Sequence, residues 1–101
     1  NLSDERTKSG VPINQAKELC ELVEELPNLK LRGLMAIPAP QKDFLLQRKN
    51  FRKLLREFNA LKTNHPSIDI LSMGMSDDFE AAIAEGSTMV RLGTALFGAR
   101  L

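Results

Sequence analysis

Ile68-Asp-Ile-Leu-Ser-Met-Gly-Met-Ser-Asp-Asp-Phe-Glu-Ala-Ala-Ile-Ala-Glu-Gly-Ser-Thr-Met-Val-Arg-Leu-Gly-Thr-Ala-Leu-Phe-Gly98 decides the architecture of this chain. Ile68 to Met73 is a short apolar run, the length of a strand. Gly74-Met75-Ser76 is the turn out of it. Asp77 to Glu85 reads as a short helix, capped by Ser76 or Asp77, with Glu80 three residues after Asp77. Gly86 is placed to end that helix. Thr88 to Gly93 is a second strand, and Thr94 to Gly98 opens the next connection. Strand, helix, strand at this spacing predicts parallel strands joined by a right-handed crossover.

The same alternation extends towards the amino terminus. Lys42 to Thr63 reads as a long helix, with Phe44, Phe51, Leu54, Leu55, Phe58 and Leu61 on one side. Gln47, Arg48, Lys49, Arg52, Lys53, Arg56 and Glu57 cover the other, most simply as a solvated face. Leu29 to Ile37 is too short for a typical helix and contains Gly33. It reads as a strand buried on both faces at its carboxyl end, as parallel sheets require. Pro38-Ala39-Pro40 breaks it into a loop. Further upstream, Ile13, Ala16, Leu19, Cys20, Val23 and Leu26 form one helical stripe. Pro12 suits the first turn of that helix, and Pro27 ends it. Asp4 to Gly10 is a polar loop.

Composition narrows the function classes. The 101 residues make one small domain with a largely aliphatic core, since all five aromatics are Phe. Net charge is +1, which gives no case for nucleic acid or an anionic membrane surface. No apolar stretch approaches the ~20 residues needed to cross a bilayer, and no signal peptide is visible. Cys20, the single cysteine, fits a reducing compartment. Asn1-Leu2-Ser3-Asp4 reads like the end of a strand entering a loop. Three strands with three helices cannot close a barrel and leave open sheet edges. Residues 1–101 are therefore expected to form a single partial domain of a larger fold.

Two strand exits carry the candidate chemistry. At the first, Gly74 permits a tight turn, and Ser76 presents a hydroxyl at a helix start, where free N–H groups and partial positive charge favour phosphate. At the second, Gly93 and Thr94 offer backbone N–H groups and another hydroxyl. In eight-stranded α/β barrels, phosphate sites commonly lie in the loops after the last two strands. A plainer reading stands beside this one: Ser76 caps its helix and Gly93 turns a corner. Asp77, Asp78 and Glu80 suit the helix dipole but must turn away from any bound anion. Arg91, inside an apolar strand, either pairs with an acid of the preceding helix or points into a ligand pocket. His65 is expected at the surface. Neither a metal-ligand spacing nor a nucleophile beside a general base is present, so no catalytic or metal-ligating residue is assigned.

The run Met73-Gly-Met-Ser-Asp-Asp-Phe-Glu-Ala-Ala-Ile-Ala-Glu-Gly-Ser-Thr-Met-Val-Arg-Leu-Gly-Thr-Ala-Leu-Phe-Gly-Ala-Arg100 closely resembles the closing signature of the pyridoxal phosphate (PLP) homeostasis protein family, a fold relative of the alanine racemase barrel. Leu31-Arg-Gly-Leu-Met-Ala-Ile-Pro38 and Ser3-Asp-Glu-Arg-Thr-Lys-Ser-Gly10 resemble earlier segments of that family, in order. The resemblance implies an α/β fold, the carboxy-terminal part of a (β/α)₈ TIM barrel like the alanine racemase N-terminal domain, with about three parallel strands alternating with helices.

It further implies that Ser76 contacts the PLP phosphate, that Gly93 and Thr94 bind it through N–H groups, and that Arg91 faces the pyridine nitrogen. An arginine there stays charged and leaves that nitrogen unprotonated, which weakens the ring as an electron sink. The family's Schiff-base lysine is expected upstream of this chain. None of Lys8, Lys17, Lys30, Lys42, Lys49, Lys53 or Lys62 matches its motif; Lys8, in a loop just after a strand end, reads first as a solvated loop lysine and alternatively as one that meets a phosphate or aldehyde.

The implied role is cytoplasmic buffering or delivery of PLP, with PLP-dependent apoenzymes as recipients; catalytic turnover is not implied. The whole protein is expected to be a monomer, and the isolated chain to be able to associate through open sheet edges. Two alternatives are a PLP-dependent amino-acid racemase or decarboxylase on the same barrel, and a ligand-free α/β interaction module.

Overall fold

Helices and strands alternate as the spacing predicts, but the first and third strands are shorter and the second is shifted by two residues. The computed structural model describes residues 1–3, 5–6 and 9–98. A 3-10 turn, Ile13–Gln15, leads into α1 (Ala16–Glu25). Then follow β1 (Gly33–Met35), α2 (Phe44–Asn64), β2 (Ile70–Met75), α3 (Phe79–Ala84), β3 (Met89–Arg91) and a single helical turn, α4 (Thr94–Phe97). The strands form one parallel sheet in the order β1-β2-β3. Lys8 lies outside the described residues.

The shifted boundaries have local causes. Pairing of β1 begins at Gly33, beside an Arg32 carbonyl that accepts from both Asp69 N (2.8 Å) and Ile70 N (2.9 Å). The strands are so close here that a Cβ on Gly33 would sit 1.7 Å from the Ile70 carbonyl oxygen. β2 starts two residues later than expected, because Ile68 N donates to His65 O (3.0 Å) and still belongs to the turn after α2. α3 begins late for a similar reason: Asp78, its amino-terminal cap, is engaged with the preceding turn. Its carboxylate accepts from Met75 N at 2.8 Å, while its own N–H donates to Met75 O at 3.2 Å. Neither Ser76 nor Asp77 caps this helix.

Phe51, Leu54, Phe58 and Leu61 of α2 pack with Leu71 and Met73 of β2 and Ala81 and Ala82 of α3. Cys20 of α1 and Ala36 extend the same core. Burial raises the pKa of the Cys20 thiol, with Glu57, Glu24 and Glu21 adding to the effect. Leu19 and Leu26, assigned to the α1 stripe, remain exposed.

The opposite face of the sheet is uncovered among the described residues. Met35, Ser72 and Met89 share that face by register; Met35 is 62% and Met89 47% exposed, and the small Ser72 on the central strand between them is buried. The expectation that the end of the first strand is buried on both faces is therefore corrected: Ala36 turns to the core, while Met35 and Ile37 do not. A bulge adjusts β2 to β3, since Ser72 pairs with Met89 but Met75 pairs with Arg91. Gly74 absorbs it at φ +100°; a Cβ there would lie 2.6 Å from the Ala82 Cβ. The extra residue returns Met75 to the open face, beside Arg91.

Two further expectations are corrected. His65 is buried, with 5% exposure, and its Nδ1 lies 2.9 Å from a Glu24 carboxylate oxygen, without a hydrogen bond's direction. The basic face of α2 is not wholly solvated either. Arg48 Nε and Arg52 Nε grip the two oxygens of Glu85 at 2.7 and 2.8 Å. Glu85 follows α3 directly, and its side chain is 4% exposed. These bonds, Arg52's foremost, outweigh the cost of burial and hold the Glu85 pKa down to about 2.

Candidate functional site

In a parallel sheet all carboxyl ends share one edge, and here that edge gathers the candidate residues. β2 ends at Met75, so Ser76 is the first residue beyond it; Gly93 and Thr94 follow β3 by two and three residues. The Ser76 hydroxyl accepts a hydrogen bond from Ala95 N at 2.9 Å. That bond joins the two strand exits, and it replaces the capping role otherwise open to Ser76.

Gly93 is the amino-terminal cap of α4, and its carbonyl accepts from Leu96 N (3.1 Å) and Phe97 N (2.8 Å). Its φ is −116°, a value any residue adopts, and a Cβ there would meet nothing within 4 Å. Neither backbone strain nor crowding by this chain explains a glycine at this point. The N–H groups of Gly93 and Thr94 have no acceptor among the described residues, and Thr94 is exposed. The Ser76 hydroxyl thus lies one hydrogen bond from the turn of chain that carries the Gly93 and Thr94 amides. One carboxylate oxygen of Asp78, Oδ1, is turned back onto Met75 N.

Arg91 reaches across β2. Its Nη2 donates to Ala36 O at 3.1 Å, while its Nε is buried without a partner. No ion pair of Arg91 occurs among the described residues, so the alternative of an acid from α3 is not realised. Glu85 is already held by Arg48 and Arg52. The guanidinium therefore lies at the open face, with an unsatisfied donor, beside Met75.

The loop after β1 completes the surroundings. Gln47, in the first turn of α2, donates its side-chain amide to Gln41 O (2.8 Å) and to Asp77 O (3.3 Å). Nothing in the local sequence singles it out, because its partners lie 6 and 30 residues away. A cavity of about 550 Å³ opens here, lined by residues including Ile37, Gln41, Lys42, Met75 and Asp77. Among the described residues no group of His, Cys, Asp and Glu is placed to hold a metal ion, and no helix is long and apolar enough to cross a membrane.

The chain as a whole has relatives among known proteins. The chain is 58% identical over 100 residues to the pyridoxal phosphate homeostasis protein of Escherichia coli K12, covering 99% of this chain and 43% of that protein. It is 52% identical over 103 residues to the protein of the same name from Pseudomonas aeruginosa, again covering 99% of this chain and 42% of the relative. The chain thus spans less than half the length of these curated relatives.

Among solved structures, a protein of unknown function from Bifidobacterium adolescentis superposes with a TM-score of 0.88 at 38% identity, over 96% of this chain and 40% of the other. PipY of Synechococcus elongatus, solved with PLP bound, gives 0.81 at 28% identity, over 95% of this chain and 47% of PipY. The family model described as alanine racemase, N-terminal domain, matches residues 3–101. With its three parallel strands and interleaved helices, this chain belongs to the alanine racemase N-terminal domain family.

Proposed function

We propose that this chain forms the phosphate-binding half of a PLP site, and that the polypeptide carrying it holds PLP in the cytoplasm for buffering or delivery to apoenzymes. The observation that carries this reading is the hydrogen bond from Ala95 N to Ser76 Oγ at 2.9 Å, which makes one cradle of two strand exits. Gly93 fits the role: its absent Cβ leaves open the space a phosphate oxygen would need. Ser76, already accepting from Ala95, keeps its own hydroxyl proton for donation. The free N–H groups of Gly93 and Thr94 supply further donors and need no reorganisation.

Arg91 fits the other end of the cofactor. Its buried, unpartnered Nε and its Nη2 bond to Ala36 O orient a permanently charged group at the open face. A guanidinium has no acceptor and stays protonated, so it would donate to a pyridine nitrogen and leave it without a proton. PLP, when bound, supplies a reactive aldehyde and an electron-withdrawing ring. Arg91 limits the second of these, which supports holding over broad catalysis. The names of the relatives and the PLP bound to PipY support the same ligand.

In this reading the chain is the carboxy-terminal portion of a (β/α)₈ barrel. β2 and β3 would be its last two strands, whose following loops are the usual phosphate site of that fold. The open face with Met35, Met75 and Met89 would be barrel interior. The aldehyde-holding lysine would come from the rest of the polypeptide.

The test is PLP retention by the longer polypeptide that carries this chain, through extensive dialysis. The double variant Ser76→Ala, Thr94→Val is expected to lose PLP at least about tenfold faster, as two hydrogen bonds to a charged group are removed. Retention equal to the wild type would overturn the phosphate assignment.

A further inference from the structure

We propose that Gln47 is a positioning residue for the phosphate cradle, locking the loop after β1 to the loop after β2. This rests on the reading of Ser76, Gly93 and Thr94 as a phosphate site, and it adds the part that keeps Ser76 in place.

The anchor is firm at the Gln47 end. Its backbone N–H donates to Asp43 O at 3.0 Å, and the Asp43 carboxylate accepts from Leu45 N at 2.9 Å, so the first turn of α2 is fixed. From there the side chain reaches Gln41 O at 2.8 Å and Asp77 O at 3.3 Å. Both partners are carbonyls, which only accept, so chemistry alone dictates that the amide nitrogen faces them. An amide nitrogen has two protons, one for each loop.

The moving part is the turn between β2 and α3. It is closed on itself by the two Met75–Asp78 hydrogen bonds. It is therefore a closed unit, tied to its surroundings by Gln47 through Asp77 and by Ala95 N through Ser76. Asp77, held by Gln47, is the chain neighbour of Ser76, and Ser76 holds Ala95 N. Two hydrogen bonds, joined by the covalent step from Asp77 to Ser76, thus connect Gln47 of α2 to the amino end of α4. Removing the first link frees the turn and misplaces the hydroxyl and N–H groups, without touching any of them.

The role separates from mere stability through ligand choice. Gln47 acts on the phosphate cradle alone, so it should matter for PLP and not for pyridoxal, which lacks the phosphate. Dissociation constants for both ligands would be measured on the longer polypeptide as wild type, Gln47→Met and Ser76→Ala/Thr94→Val. Gln47→Met is expected to bind PLP about three- to tenfold more weakly, with pyridoxal binding unchanged within about twofold.

Unchanged PLP affinity in Gln47→Met, alongside a loss in the double variant, would overturn this inference and leave the phosphate reading standing. Equal losses for both ligands would overturn it as well, since that is general loosening. Unchanged PLP affinity in the double variant would remove the phosphate reading and this inference with it. If Gln47→Met does not fold, Gln47→Glu has the same shape and lacks the donors; it is judged by the same criteria, with a PLP loss of about tenfold or more expected.

Discussion

Arg91 places a permanent charge beside methionines, on a sheet face where this chain gives it one carbonyl and leaves its Nε unpaired. If that charge serves a pyridine nitrogen, Arg91→Ala should shift the absorption spectrum of bound PLP and slow-dialysis retention should fall by less than about threefold, a small part of what a phosphate contact contributes. An unchanged spectrum would detach Arg91 from the ring. Glu85 makes the second residue-scale prediction. Its carboxyl is held at about pKa 2 against an ordinary 4.5. A depressed acid stabilises the fold above its unfolded pKa, and that contribution is lost as pH falls through the folded value.

Stability should therefore fall between about pH 4.5 and 2 more steeply in the wild type than in Glu85→Gln. At neutral pH the variant should be less stable by about 1–2 kcal/mol, read from denaturant midpoints. Ser76 and Gly93 could be singled out as candidates because a hydroxyl and a glycine at strand exits have local signatures. Glu85 was not, since its partners lie 33 and 37 residues back. His65 read as a surface loop residue before Pro66, yet the turn folds it against Glu24 of α1, a contact no local pattern reports.

Two glycines at the level of strands and loops play opposite parts. Gly33 is demanded by the fold: a Cβ would come 1.7 Å from the Ile70 carbonyl, so β1 and β2 could not keep their spacing. Gly33→Ala should cost more than about 3 kcal/mol in denaturant unfolding, at the upper end of overpacking effects. Gly93 is not demanded by the fold at all. Gly93→Ala should leave stability within about 0.5 kcal/mol and still weaken PLP binding, because the methyl group enters the cradle. A loss of stability without a loss of binding would reverse the assignment. Element order and the parallel alternation were readable from periodicity and turn residues. Exact ends were not, because hydrogen bonds such as Ile68 N to His65 O and Met75 N to Asp78 Oδ1 decide them, and these depend on how turns close.

For the molecule as a whole, one face of the sheet is bare among the described residues, with Met35, Ile37, Met75 and Met89 exposed. Exposed strand edges and apolar faces invite association. The chain by itself should self-associate in a concentration-dependent way in sedimentation, whereas the longer polypeptide should remain monomeric. That expectation follows from the alternation of strands and helices. The bulge at Gly74, which brings Met75 beside Arg91 on the bare face, could not be foreseen from it.

The most direct test of the central claim is a crystal structure of the longer polypeptide with PLP bound. The phosphate should lie within about 3 Å of Ser76 Oγ and of the Gly93 and Thr94 nitrogens, with Arg91 facing the pyridine nitrogen. A phosphate bound anywhere other than between these two strand exits would contradict the account.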